Sequence, residues 1–147
     1  MFVEALLPVA LDRLATIRED APLIEAATQL ARSRINLVVA CRFDATIAGV
    51  ITKTDVVRQL SQCKGSSCTT AASLVMAREV VVCRPTDWLA DVWAMMRERG
   101  FKHIPVVDEA SRPVGVLYAR DALEVLLQES EADELLLRDY VLGIGYR

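Results

Sequence analysis

Gly49-Val50-Ile51-Thr52-Lys53-Thr54-Asp55-Val56-Val57 reads as a strand end, a tight polar turn and a helix start. The β-branched pair Val50-Ile51 favours an extended backbone. Thr52, Thr54 and Asp55 carry side-chain oxygens of the kind that cap helices. Val56 and Val57 open the next apolar run. On its own the turn reads first as a helix cap. It also gathers hydroxyls, the Lys53 ammonium and a carboxylate where free backbone N–H groups and the positive dipole end favour an anion. Hydroxyls and ammonium suit phosphate, and a carboxylate accepts from a sugar diol.

The turn returns later in the chain. Gly115 lies 66 positions after Gly49, and Asp121 lies 66 after Asp55. Arg84 stands in the same relation to Arg18, and Leu89 to Leu23. The element order repeats with that offset and no insertion. In the first copy, Ala15 to Arg18 reads as a strand and Pro22 to Ser33 as an amphipathic helix with Leu23, Ala26, Ala27 and Leu30 inward. Strands over Ile35 to Cys41 and Ile47 to Ile51 follow, then a helix over Thr54 to Leu60. In the second copy, Glu79 to Cys83 is expected as a strand, with Pro85, Thr86 and Asp87 as a helix start. Leu89, Val92, Trp93 and Met96 give that helix its inner face, and Gly100 stops it. Strands over Phe101 to Val107 and Val114 to Tyr118 and a helix over Asp121 to Glu129 complete the copy. A unit of roughly 45 residues is too small for its own core. The halves must therefore pack on each other, leaving a cleft near a pseudo-twofold axis, a common place for ligands.

A tandem of β-α-β-β-α units, each ending in Gly-apolar-apolar-x-x-x-Asp, resembles a pair of CBS domains, or Bateman module. The carrying motifs are Gly49-Val-Ile-Thr-Lys-Thr-Asp55, Gly115-Val-Leu-Tyr-Ala-Arg-Asp121 and Lys102-His103-Ile104-Pro105-Val106-Val107-Asp108. The likeness covers about Leu14 to Leu127. It implies an α+β (α/β) fold with two units packed as an intramolecular pseudo-twofold pair. It divides the chain into a lead-in (1–14), unit one (15–61), a linker with a short helix at Ala71 to Met76 (62–77), unit two (78–128) and a C-terminal helix and tail (129–147).

The resemblance also implies a sensor rather than an enzyme, with AMP, ADP, ATP or S-adenosylmethionine as ligand and no required cofactor. By the same resemblance Asp55 would hold the ribose hydroxyls, with Thr52 and Thr54 at phosphate beside Lys53. Thr16 and Ile17 would line the adenine, and Lys102 and His103 would reach phosphate across the cleft. In the second copy Tyr118 and Arg120 stand where Thr52 and Thr54 stand in the first, and only Asp121 keeps the ribose position. Family members form dimers, so a homodimer is expected, acting on an unidentified protein in trans.

The bulk composition fits this reading. The 147 residues are 53% hydrophobic and 25% charged, which suits a packed globular chain. A net charge of −3 and a pI near 5.2 argue against nucleic acid or an anionic membrane as the main partner. No apolar run approaches the ~20 residues of a membrane span. Met1 to Leu14, interrupted by Pro8, carries Glu4, Asp12 and Arg13 and lacks the marks of a signal peptide, so a cytoplasmic location is expected.

Cys41 and Cys83 lie in apolar runs and read as core residues. Cys63 and Cys68 share a polar segment. A thiol or metal switch there is an alternative function, although the only His is remote, at His103. A ligand-free interaction module is the other alternative. Glu129 to Leu142 reads as an amphipathic helix, broken by Gly143 and Gly145. No nucleophile–base pair is evident, so no catalytic residues are expected.

Overall fold

The computed structural model describes residues 1–62, 65 and 69–146. Cys63 and Cys68 lie outside the described residues.

The first half holds β1 (Thr16–Arg18), α2 (Leu23–Leu30), β2 (Leu37–Cys41), β3 (Ile47–Thr52) and α3 (Lys53–Gln62). Its sheet runs β1-β2-β3, with β1 parallel and β3 antiparallel to the central β2. Both faces of β2 are buried, which is why Leu37–Cys41 is continuously apolar rather than alternating. The second half holds α4 (Leu89–Arg99), β4 (His103–Val107), β5 (Pro113–Tyr118) and α5 (Ala119–Tyr146). Here β4 and β5 pair antiparallel. Gly100 ends α4 at φ 75°, a left-handed C-cap that suits glycine.

The expected strand over Glu79 to Cys83 is a single parallel bridge, Cys83 to Val106. Its counterpart in the first half, Ile17 to Ala40, sits within a full β1–β2 ladder. Proline is the reason. In the first half Val39 N–H donates to Ala15 O at 2.9 Å. The residue 66 positions on from Val39 is Pro105, which has no N–H to give. The ladder keeps the bonds that flank it, Cys83 N–H to Pro105 O and Val107 N–H to Cys83 O.

Several other boundaries differ from expectation. Pro8 does not interrupt the lead-in. It lies in the first turn of α1 (Leu7–Asp12), where its missing N–H is unneeded. The expected helix at Ala71 to Met76 is one 3-10 turn, Ala72–Leu74. The start expected at Pro85 to Asp87 is a turn in which Asp87 accepts from Arg84 N–H, and α4 begins two residues later. The C-terminal helix is no separate element, because α5 runs unbroken through Gly143 and Gly145 to Tyr146. Each glycine costs a helix only about 1 kcal/mol relative to Ala, and the leucine-rich stretch before them favours continuation.

The halves are completed crosswise. Val3 and Leu6, in a 3-10 turn before α1, are buried in the second half's core with Leu89, Met96, Ile104 and Leu117. Val3 N–H bonds Asp87 O, and Leu89 N–H bonds Met1 O. Ala72 and Met76, between the halves, are buried in the first half's core with Leu23, Val38 and Ile51. Each fully buried aliphatic side chain contributes roughly 1.5–3 kcal/mol, so these short segments are structural parts of the units they join. A third cluster, Leu37, Val39, Cys41, Val116 and Tyr118, welds the two sheets together.

The two motif glycines serve this crosswise packing. A Cβ on Gly115 would lie 2.7 Å from Ala10 Cβ and 2.9 Å from the Ala10 carbonyl carbon. One on Gly49 would lie 2.7 Å from Ala77 O and from Met76 Cγ. Ala10 and Met76 are themselves 66 positions apart. The repeat therefore extends into the segment read as a lead-in, and each glycine admits the backbone that crosses its strand.

Candidate functional site

Thr52 ends β3 and begins the turn into α3. Its N–H and hydroxyl both donate to Asp55 Oδ2, at 2.9 and 3.1 Å. Asp55 N–H returns to Thr52 Oγ1 at 3.4 Å. This is a capping box, so the cap reading of the turn is realised in full. Among the described residues the remaining oxygen, Asp55 Oδ1, meets only Arg58 Nη1 at 3.4 Å, from a largely exposed side chain. A carboxylate offers about four lone-pair sites, so Oδ1 keeps capacity for a hydroxyl donor.

Beside this turn lies a cleft of about 240 Å³ between the halves. Leu37, Val50 and Thr52 line it from the first half, and Lys102, His103 and Pro105 from the second. Glu79, Val80 and Val81 form its third side. These valines are available because Pro105 leaves their segment without a ladder. The cleft thus has apolar walls with a hydroxyl, an ammonium, an imidazole and one carboxylate at its rim.

His103 is half-buried. Burial, then Lys102, then Arg13 lower its pKa below 6.5. Its ring meets Tyr118 edge-on, with centroids 4.4 Å apart. At neutral pH it is an uncharged imidazole beside a cationic lysine. An anion between the two would reverse the cost of protonating it.

The structure brings Thr52, Lys102 and His103 to one cleft, with Asp55 bonded to Thr52 but not itself lining it. Lys53 and Thr54 are exposed on the first turn of α3 and do not line the cleft. Thr16 and Ile17 are elsewhere. They line a wider concavity of about 660 Å³ with Arg18, Arg42 and Arg112. The residues the sequence reading missed are Val80 and Val81, whose 66-residue counterparts are Leu14 and Ala15. The offset combined with the absent donor at Pro105 carried that signal.

The second copy is arranged differently. The Tyr118 hydroxyl donates to Arg34 O at 2.8 Å and accepts from Asn36 N–H at 2.9 Å. Arg13 forks onto Asp121, Nε to Oδ2 and Nη2 to Oδ1, both at 3.1 Å. Its guanidinium also lies 4.3 Å from the centre of the Tyr118 ring. The hydrogen bond to Asp121 raises the Arg13 pKa, and burial raises that of Tyr118. Arg120 is exposed on the first turn of α5.

Elsewhere, Cys41 and Cys83 are buried free thiols, and burial pushes Cys83 up to about 12. Among the described residues no three His, Cys, Asp or Glu side chains cluster as a metal site, and no helix is long and apolar enough to cross a membrane.

Comparison with known proteins gives consistent results. A family model described as CBS domain matches residues 8–62 and 71–128. A curated relative, an uncharacterized protein of Methanopyrus kandleri, is 32% identical over 66 residues, 44% of this chain. The match spans only 34% of that relative's length. Among solved structures, a CBS domain protein from Pyrobaculum aerophilum complexed with AMP aligns at TM-score 0.70 and 25% identity, covering 82% of this chain and 89% of the other. The CBS domain pair of protein MJ0100, in complex with 5-methylthioadenosine and S-adenosyl-L-methionine, aligns at TM-score 0.71 and 22% identity, covering 88% and 98%.

Proposed function

The chain belongs to the CBS-domain family, and from that premise we propose that it is a regulatory module binding one class of ligand, an adenosine nucleotide, in the cleft beside Thr52. The carrying observation is the convergence of Thr52, Lys102 and His103 on one cleft with apolar walls, beside the turn in which Asp55 caps Thr52 and keeps Oδ1 out of the cap. The apolar walls accept a base, Asp55 Oδ1 accepts from the ribose diol, and Lys102 donates to phosphate, joined by the Thr52 hydroxyl only when its single proton turns away from Asp55 Oδ2. The AMP complex of the Pyrobaculum aerophilum protein supports the ligand class. The ligands of protein MJ0100 support S-adenosylmethionine as the alternative within it.

In this reading the module works without catalysis, in the cytoplasm, as a homodimer that acts on a partner protein in trans. Val57 on α3 and Leu123 on α5, 66 positions apart, are both exposed apolar side chains and support helix-mediated pairing. A ligand regulates only through different affinity for two states of the module.

Calorimetric titration with AMP, ATP and S-adenosylmethionine tests the reading, comparing wild type with Asp55→Ala and Lys102→Ala. Saturable binding by wild type, weakened at least about tenfold in either variant, is expected for loss of one charged contact. One observation favours a second reading: the Thr52 hydroxyl and Asp55 Oδ2 already serve each other in a helix cap. If none of the three ligands binds or raises the melting temperature at millimolar concentration, the interaction-module reading stands instead.

A further inference from the structure

The offset of 66 carries every wall of the cleft onto a counterpart on the other side of the pseudo-twofold axis. Thr52 maps to Tyr118, Asp55 to Asp121, Lys102 to Asn36, His103 to Leu37 and Glu79 to Arg13. We infer that this second position is closed by the chain's own Tyr118 and Arg13, so that each chain takes one nucleotide rather than two. The inference rests on the cleft reading above for the chemistry of the ligand, and on separate side chains for the closure.

Three features make the closure. The Tyr118 ring fills the space, being only 3% exposed and packed with Leu37, Val39 and Val116. Its hydroxyl is bonded on both sides, to the backbone of Arg34 and Asn36. A smaller residue at this position would leave the Asn36 N–H facing the space, as Lys102 faces the open cleft. Arg13 then uses both oxygens of Asp121, the atoms a ribose diol would need. The two side chains of this fork are 15% and 12% exposed. A ligand would have to break a bidentate charge-assisted pair and expel a bonded aromatic ring at once.

The halves differ because of their own residues. On the open side, Asp55 faces no arginine from the preceding segment, since Glu79 stands where Arg13 stands. On the open side, too, Pro105 withholds the N–H that Val39 supplies to Ala15. On the closed side that ladder is intact, so the segment before β1 is drawn onto the sheet, with Arg13 at its start.

The test is binding stoichiometry with AMP and with S-adenosylmethionine, measured by calorimetry on wild type and on the double variant Arg13→Ala/Tyr118→Thr. One site per chain in wild type and two in the variant is the expected result. Two sites in wild type, or one site in both proteins, overturns the closure while leaving the cleft reading intact. No site in wild type and one in the variant upholds the closure and overturns the cleft reading. No binding by either protein overturns both. Should the double variant fail to fold, Asp55→Ala decides. Weakening of all the observed binding upholds a single site, and a residual site at Asp121 with wild-type affinity overturns it.

Discussion

Replacing Tyr118 by Phe removes one oxygen and leaves the ring. The oxygen serves two backbone groups, Arg34 O at 2.8 Å and Asn36 N–H at 2.9 Å, across 84 and 82 residues of chain. Phe keeps the ring contacts with His103 and Arg13 but orphans both groups. A buried unpaired group costs about 1–3 kcal/mol. Arg34 and Asn36 are partly reached by solvent, so the low end applies to each, and about 2 kcal/mol is expected in total. At about 2–4 °C per kcal/mol for a chain of this size, the melting temperature should fall by about 4–8 °C. Scanning calorimetry measures it, with urea unfolding as a check that the midpoint moves and the slope does not. Amide exchange at Asn36 should quicken more than at its neighbours. A shift under about 1 °C with unchanged Asn36 exchange would falsify the view that this hydroxyl ties the halves together.

Three further outcomes follow from the geometry. Gly115→Ala forces a Cβ within 2.9 Å of the α1 backbone and should destabilise by about 1–3 kcal/mol in thermal or urea unfolding; a neutral result would mean that α1 moves freely off β5. Pro105→Val supplies the missing donor opposite Val81, so it should extend pairing there and weaken nucleotide binding several-fold, read by amide exchange and titration. Equal affinity would show that the cleft does not depend on the broken ladder. His103 has a folded pKa below its unfolded value of about 6.5. Between those two values the unfolded chain holds more protons, so stability rises with pH and is lost as pH falls below about 6.5. His103→Gln should show a shallower loss in urea titrations across that window, and identical profiles would remove His103 as the cause.

The repeat itself was legible because its offset is constant, and it gave the element order in both halves. It failed at Glu79 to Cys83 because strand propensity is local, whereas the ladder depends on a donor 24 residues away at Pro105. The motif glycines were legible as positions but not as causes. Nothing near Gly115 in sequence announces that Ala10 will cross it. For the site, Thr52, Lys102 and His103 came together as the likeness implied, and Thr16 and Ile17 did not. A strand offers residues to two faces and two ends, and only the packed sheet decides which ends meet a cleft. Arg13 could not be found from its own neighbours, since its partner lies 108 residues away.

The crosswise completion of the two cores has a consequence for synthesis. A ribosome delivers the first half and the segment with Ala72 and Met76 in succession, so that core can close while translation continues. Val3 and Leu6 emerge before the first half yet belong with Leu89, Ile104 and Leu117. Their native cover is complete only when Leu117 has been made. These residues are therefore made ahead of the first half and buried after it, and the interval before they dock is a period in which a nascent chain is exposed to wrong partners.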